Sequence, residues 1–282
     1  MPVDFFQAAV LAFIQGFTEF LPISSSGHLL LPTLLLGWPD QGLAFDVAVH
    51  LGSLVAVITY FRHDLWRLCC AWLANPGVIM NLNRESGEQG EQEDARLAWY
   101  LILATLPAAA AGLLVNDLIS GMARSLWVVG TTSIVFGGLL YYAEWRGTDQ
   151  RSLTETNLKA ALWIGLAQML ALIPGTSRAG ITMTAALLCN FSKQAAARFS
   201  FLLAIPIIAA SGLFTTLDLL SEASQIVNWW LLLYAALLSG LVAFACIHFF
   251  LTLISRVGFL PFVIYRLILG GCLLLLGFNN AN

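Results

Sequence analysis

The sequence predicts an all-α integral membrane protein built as an inverted-topology repeat, and three observations carry that prediction. Of 282 residues, 59% are hydrophobic and only 10% charged, with a mean hydropathy of +0.82. Soluble domains carry roughly 25% charged residues, so a water-facing surface cannot be covered here. Six apolar runs approach or exceed the ~20 residues that a bilayer span needs. Two further apolar regions are interrupted by polar turns near their midpoints.

Residues 5–36 open the chain and are broken at Pro22–His28, which leaves two apolar pieces of about half a span each. Non-helical backbone at membrane depth is tolerated only where protein or a water-filled cavity covers it, so this region predicts a re-entrant helical hairpin. Spans follow at residues 43–61, 97–115 and 125–143. A polar linker near residues 144–157 separates this first half, residues 1–146, from a second half, residues 155–282. The second half has the same order: a hairpin over 158–190, broken at Pro174–Arg178, then spans at 199–217, 229–251 and 259–278. Local similarities keep that order. Gly16-Phe17-Thr18-Glu19 aligns with Gly165-Leu166-Ala167-Gln168, and Phe45–Val49 aligns with Phe199–Leu203. Arg124 precedes Gly137-Gly138 much as Arg256 precedes Gly270-Gly271.

Parity turns the duplication into an inversion. A re-entrant hairpin returns to its own side, so each half crosses three times and the second half begins on the opposite face. The two hairpins then enter from opposite sides and meet near the midplane. Arg62, Arg67, Arg84, Arg96, Arg146, Arg151, Lys159, Lys193, Arg198 and Arg256 fall on one side, and Arg124 alone on the other. The positive-inside rule therefore puts both termini and the mouth of the first hairpin away from the cytoplasm. Met1–Asp4 lacks a positive n-region, so no cleaved signal is expected. The loop at 75–94 is polar and reads as a mobile, solvated connector. Cys69, Cys70, Cys189, Cys246 and Cys272 show no metal-ligand spacing and read as inert packing residues. The net charge of −3 is too small to suggest a partner.

Ionisable residues inside spans are costly and default to a functional reading. Here they are Glu19, His28, Asp46, His50, Arg178, His248 and Arg266. In the first hairpin, Gln15 and Glu19 are four apart and share a helix face; Pro22 ends that helix. Ser24, Ser25, Ser26 and Gly27 then supply hydroxyls and a flexible backbone where the next half-helix begins, with His28 in its first turn. A helix N-terminus with free N–H groups binds anions. The second hairpin repeats the arrangement with Thr176, Ser177 and Arg178, and arginine suits bidentate phosphate contact. Brought together, these groups describe a phosphate or diphosphate site. Glu19, with Gln15, could hold a divalent cation, Mg²⁺ or Ca²⁺, because hard cations take oxygen ligands. Plainer readings stand beside these. Glu19 and Arg178 could form only a buried ion pair joining the halves, and His28 could merely cap a turn. Asp46 and His50, at i and i+4, read equally as a local pair or as support for the site. Arg266 is expected to pair with a carboxylate, and His248 to sit at the interface.

The stretch Gln15–His28 resembles the (Glu/Gln)-x-x-x-Glu and Pro-x-Ser-Ser-x-Gly-His signature of bacterial undecaprenyl pyrophosphate phosphatases of the bacitracin-resistance type. Pro174–Thr182 is similar to that family's second motif, Pro-Gly-x-Ser-Arg-Ser-x-x-Thr, and Pro261-Phe262-x-x-Tyr265-Arg266 agrees as well. Two departures occur: the first acidic position is Gln15, and the serine after the arginine is Ala179. The resemblance implies hydrolysis of undecaprenyl diphosphate to the monophosphate at the outer face of the bacterial cytoplasmic membrane, recycling the lipid carrier for cell-wall synthesis. It implies Glu19 as a metal or water ligand, Ser25 as nucleophile or phosphate contact, His28 as acid or base, Arg178 as phosphate clamp, and a divalent cation. Expected partners are a polyprenyl diphosphate lipid and the bilayer, no nucleic acid, and a second copy in a homodimer. Paired hairpins in inverted repeats are also transporter architecture, so a lipid-phosphate flippase is the rival reading. The unrelated acid-phosphatase type of lipid phosphatase is set aside: it needs another histidine soon after its Ser-Arg motif, and His248 is the only one after Arg178.

Overall fold

The structure is a computed structural model that describes residues 3–81, 90–120, 125–221 and 228–281. Arg84 and Arg124, both counted in the charge asymmetry, lie outside these, as does the middle of the 75–94 loop. The described residues form eleven α-helices and no strand beyond one isolated bridge between Arg151 and Phe191. The first half contains α1 (Phe5–Thr18), α2 (Ser25–Leu36), α3 (Leu43–Tyr60), α4 (Arg62–Ala74), α5 (Glu91–Ser120) and α6 (Leu126–Arg146). The second contains α7 (Leu158–Gln168), α8 (Arg178–Leu188), α9 (Lys193–Ser221), α10 (Trp229–Val257) and α11 (Leu260–Ala281). Helices α3, α5, α6, α9, α10 and α11 are long and apolar enough to cross a membrane. The chain is a multi-pass membrane protein, and these six helices coincide with the six predicted spans.

Helix starts follow from their capping residues. Asp4 accepts from the Gln7 amide at 2.8 Å while the Gln7 side chain accepts from the Asp4 amide at 3.1 Å, a reciprocal capping box. Asn157 and Asn228 cap α7 and α10 by accepting from Ala160 and Leu231. Each predicted hairpin is indeed two short helices joined by a turn. Helix α4 lies between the first span and the polar loop, where the sequence predicts no element. Ion pairs hold it in place: Arg198 reaches Asp64 at 2.8 Å and Arg67 reaches Asp94 at 2.7 Å, which ties α4 to α9 and α5. Lys193 pairs with Glu144 at 3.0 Å, and Glu144 also accepts from the Phe259 amide. The start of α9 is thus linked to α4 through Arg198 and to the end of α6 through Lys193. All five cysteines are free; Cys246 is buried as expected, whereas Cys69 and Cys70 are exposed on α4 and Cys272 on α11.

Close helix contacts are made at small residues, the usual solution where no water drives helices together. Gly16 on α1 faces the Ser239 carbonyl of α10, Gly52 on α3 faces the Ala236 carbonyl, and Gly165 on α7 faces the Ala104 backbone of α5. Ser239 donates to the Val49 carbonyl at 2.9 Å and meets the Ser53 hydroxyl at 3.1 Å, which closes the α3–α10 seam. The packing partners exchange between halves: α1 packs on α10 as α7 packs on α5, and α3 on α10 as α9 on α5. Helix α6 packs on α11, and α3 also on α9.

The seam makes a direct stability prediction. A Cβ at Gly52 would land on the Ala236 carbonyl, and overpacking of this kind costs about 1–3 kcal/mol. Gly52→Val is expected to lower the melting temperature in detergent, whereas Gly138→Ala, where a Cβ meets nothing, should match the native protein or exceed it. Fluorescence-detected melting curves check both.

Candidate active site

Two turns of the same shape carry the polar residues. Pro22, Ile23 and Ser24 link α1 to α2; Pro174–Ser177 link the end of α7 and its short 3₁₀ extension to α8; all are buried. Ser24 caps α2 at φ 73° and ψ 95°, and Ser177 caps α8 at φ 70° and ψ 113°. Such conformations cost a non-glycine residue about 1–3 kcal/mol each and persist only where surroundings enforce them. Gly175, at φ 87°, has the Val129 backbone and the Thr132 side chain where a Cβ would stand, so only glycine fits. Matching the two strained serines pairs Ser25 with Arg178 as the first residues of their helices.

Glu19 is the hub. It ends α1 and is 7% exposed. Its Oε1 accepts from Arg178 Nη2 at 2.8 Å, across 159 positions of sequence. Its Oε2 accepts from Ser25 Oγ at 2.6 Å and from Gln15 Nε2 at 2.9 Å, with His50 Nε2 at 3.8 Å. Glu19, Arg178, Ser25 and His50 border a cavity of about 200 Å³ that Ser24, Ser26 and Ser177 also line, whereas Gln15 does not reach it. Ser24 and Ser26 hydroxyls lie 3.4 Å apart there. Ser177 is already engaged as a cap: its hydroxyl accepts from the Gly180 amide at 3.1 Å and approaches the Leu21 carbonyl at 3.5 Å. Gly27 is packed under Val129. Thr176 is fully buried, its hydroxyl without a partner, and does not border the cavity.

His28 is held elsewhere. Its Nδ1 lies 2.6 Å from the Ser24 carbonyl, which only accepts, so Nδ1 donates. Its Nε2 is then left to accept from the Tyr265 hydroxyl at 2.6 Å, and the two rings stack at 5.5 Å. Both residues line a separate, mostly apolar groove of about 350 Å³, walled by Phe13, Phe17 and Phe262. The imidazole that borders the polar cavity is His50, whose Nδ1 donates to the Asp46 backbone carbonyl at 2.7 Å. Its i to i+4 partner is thus a carbonyl, while the Asp46 carboxylate accepts from Gln41 at 3.0 Å. An ionisable residue inside a span was the signal available for His50. Nothing in the sequence marked Tyr265 as the partner of His28.

One other expectation needs correction. Arg266 has no carboxylate partner among the ion pairs of the described residues; it donates to backbone carbonyls. Gln168, aligned with Glu19, is buried with neither amide atom bonded, and it does not border the cavity.

For a cation the donors are few but of the right type. Among the described residues no three His, Cys, Asp or Glu side chains cluster as a metal site. The Glu19 carboxylate, which lines the cavity, fits a hard cation that draws its remaining ligands from phosphate and water; Gln15 Oε1 is a buried oxygen without a partner but does not border the cavity.

Comparison with known proteins shows the family. Residues 8–272 match the family model described as bacitracin resistance protein BacA. The chain is 54% identical over 261 residues to undecaprenyl-diphosphatase 1 of Pseudoalteromonas translucida (strain TAC 125), covering 93% of this chain and 94% of that protein. It is 52% identical to the undecaprenyl-diphosphatase of Alteromonas mediterranea (strain DSM 17117 / CIP 110805 / LMG 28347 / Deep ecotype), over 95% of this chain and 97% of that one. It is 51% identical to that of Teredinibacter turnerae (strain ATCC 39867 / T7901), again over 95% and 97%. With a family match over almost its whole length and half its residues shared with each relative, the chain belongs to the BacA bacitracin-resistance family.

Proposed function

We propose that this protein is a membrane phosphatase that hydrolyses undecaprenyl diphosphate to undecaprenyl phosphate and inorganic phosphate, consuming one water. It thereby recycles the lipid carrier for cell-wall synthesis and confers bacitracin resistance. One observation carries the reading: Glu19, Ser25 and Arg178, from two separate turns, meet around one small polar cavity. Arg178 binds the diphosphate, and a guanidinium suits that task because it can grip two oxygens at once. The N–H groups that begin α2 and α8 add anion-binding dipole ends. Ser24, Ser26, Gly27, Thr176 and Ser177 shape the two turns, with hydroxyls of Ser24 and Ser26 available to phosphate oxygens. Glu19, hydrogen-bonded to Ser25, is placed to take a proton from that hydroxyl or from an attacking water. His28 fixes the Ser24 carbonyl and thus the first turn of α2. A divalent cation, Mg²⁺ or Ca²⁺, held by Glu19 and Gln15, would neutralise charge on the phosphate oxygens. The apolar groove behind His28 suits an amphipathic substrate.

The same reading makes the fold an inverted repeat, residues 1–146 and 155–282, with re-entrant hairpins at 5–36 and 158–190. The exchange of packing partners between the halves and the twin strained serines support it. The protein resides in the bacterial cytoplasmic membrane with its site open to the outer face, and it associates as a homodimer, for which the mass of the solubilised protein is the test. The ten-to-one distribution of basic residues supports the orientation. In a background without native cysteines, a cysteine at Asp40 should react with an impermeant reagent on whole cells, and one at Thr154 should not. The reverse pattern would put the first hairpin's mouth in the cytoplasm.

The charge pair gives the sharpest activity test. Arg178→Ala should lower phosphate release from polyprenyl diphosphate by about 10²–10³-fold, the usual cost of losing a charge-stabilising donor. Arg178→Lys should recover little, since a point charge cannot reproduce the planar fork. Glu19→Gln should be far more damaging than Gln15→Ala, and chelator should silence the native protein until divalent cation is returned. Full activity in metal-free protein would remove Glu19 and Gln15 as ligands.

Ser25→Ala and His28→Ala separate chemistry from folding. Both are expected to remain membrane-inserted with near-native melting curves. Ser25→Ala should lose about 10²-fold or more of the hydrolysis rate, and His28→Ala, which releases the Ser24 carbonyl, about 10-fold or more through misplacement of that turn. A nucleophilic serine leaves a trappable phosphoseryl-enzyme in the native protein; direct attack by water leaves none. Native rates in both folded variants would sink the catalytic role of this turn.

A further inference from the structure

Arg266 has the largest side chain in the protein with no solvent exposure. A cation buried in a membrane protein without an anionic partner is costly, and its contacts indicate what it does. Its Nε donates to the Ser133 carbonyl at 3.2 Å, and Nη2 to the carbonyls of Thr132 at 3.4 Å and Gly175 at 3.0 Å. Its Nη1 donates to the Pro22 carbonyl at 3.3 Å. Pro22 lies in the turn before Ser25, and Gly175 in the turn before Arg178. Thr132 and Ser133 belong to α6. One guanidinium therefore touches both strained turns and fastens them to a common helix. Thr132 reinforces this by donating its hydroxyl to the Pro174 carbonyl at 2.7 Å. The space is tailored to it: a Cβ on Gly180 would stand 2.8 Å from Nη1, and one on Gly137 would stand 3.2 Å from Arg266 Cβ.

We propose that Arg266 is a positioning residue for phosphate transfer, setting the spacing of the two turns and so the meeting of Ser25 and Glu19 with Arg178. It touches none of the cavity groups. It acts through the backbone, by satisfying the carbonyl next to each strained segment. The planar, five-donor geometry of arginine is what allows four carbonyls in three elements to be served at once. Lysine keeps the charge but cannot span them. This inference rests on the phosphatase reading for its kinetic consequence, but not for its structural one.

The test uses Arg266→Lys and Gly137→Ala in full-length, detergent-solubilised protein. Gly137→Ala displaces the arginine without removing it, so it covers the case in which Arg266→Lys fails to fold. Three readouts are taken: melting temperature, steady-state phosphate release from polyprenyl diphosphate, and hydrogen exchange of segments 19–25 and 173–178. For Arg266→Lys, kcat is expected to fall about 10–100-fold, the scale of a displacement near 1 Å in a reacting pair. KM should change little because Arg178 is intact, and both turn segments should exchange faster together while α10 stays protected. Gly137→Ala should shift kcat the same way by several-fold. Native kcat in either folded variant, or faster exchange in only one turn, would overturn the proposal. If the native protein itself releases no phosphate, the functional reading fails, and the exchange of the two turns still decides the clamp.

Discussion

Buried backbone that is not helical must find hydrogen-bond partners within the protein, because an unpaired carbonyl or amide away from water costs several kcal/mol. That constraint governs this molecule. Breaking two apolar segments in the middle frees the carbonyls and amides of Pro22–Ser24 and Pro174–Ser177. Four of the carbonyls are answered by side chains with few alternatives: Arg266 on Pro22 and Gly175, Thr132 on Pro174, and His28 on Ser24; the Ser177 hydroxyl caps the Gly180 amide. Helices α6 and α11 pack against each other with Gly130 and Gly137 at the contact, which brings Arg266 beneath both turns. The broken segments are possible because this backing exists.

Ser25, Ser26 and Arg178, which follow those turns, are left bordering the cavity. Glu19 and Arg178 compensate each other at 2.8 Å, which makes two charges tolerable in a largely apolar protein. The arrangement is self-consistent without ligand and also convertible. In the proposed reaction a diphosphate takes the guanidinium, while the carboxylate keeps its contact with Ser25. Reading the contact as a structural ion pair or as part of a binding site is therefore not a choice between exclusive roles. The cavity beside it, the serines around it and the family relationship all support the second use proposed for the pair.

Part of the fold was legible because the relevant physics is one-dimensional. Span length, charge asymmetry and the two interruptions can be counted along the chain, and they located six long helices and two pairs of short ones. Helix α4 was missed because its helicity depends on distant partners: Asp64 is fixed by Arg198, and Arg67 by Asp94. Glycines were visible as small residues, but that Gly16 and Gly52 both serve α10 depends on how three helices cross.

For the site, the sequence by itself determined the chemical inventory: a carboxylate at Glu19, a guanidinium at Arg178, serines at the starts of two half-helices. Those types follow from motifs whose spacing is local. Only the tertiary structure decided which of them meet. Glu19 and Arg178 are 159 positions apart, and their contact exists because two turns of similar backbone shape are held together from below. The same three-dimensional accounting turned His28 toward Tyr265, brought His50 to the cavity, and gave Arg266 carbonyls in place of a carboxylate. A side chain's partner is set by which elements surround it, and a sequence read along one dimension does not contain that neighbourhood.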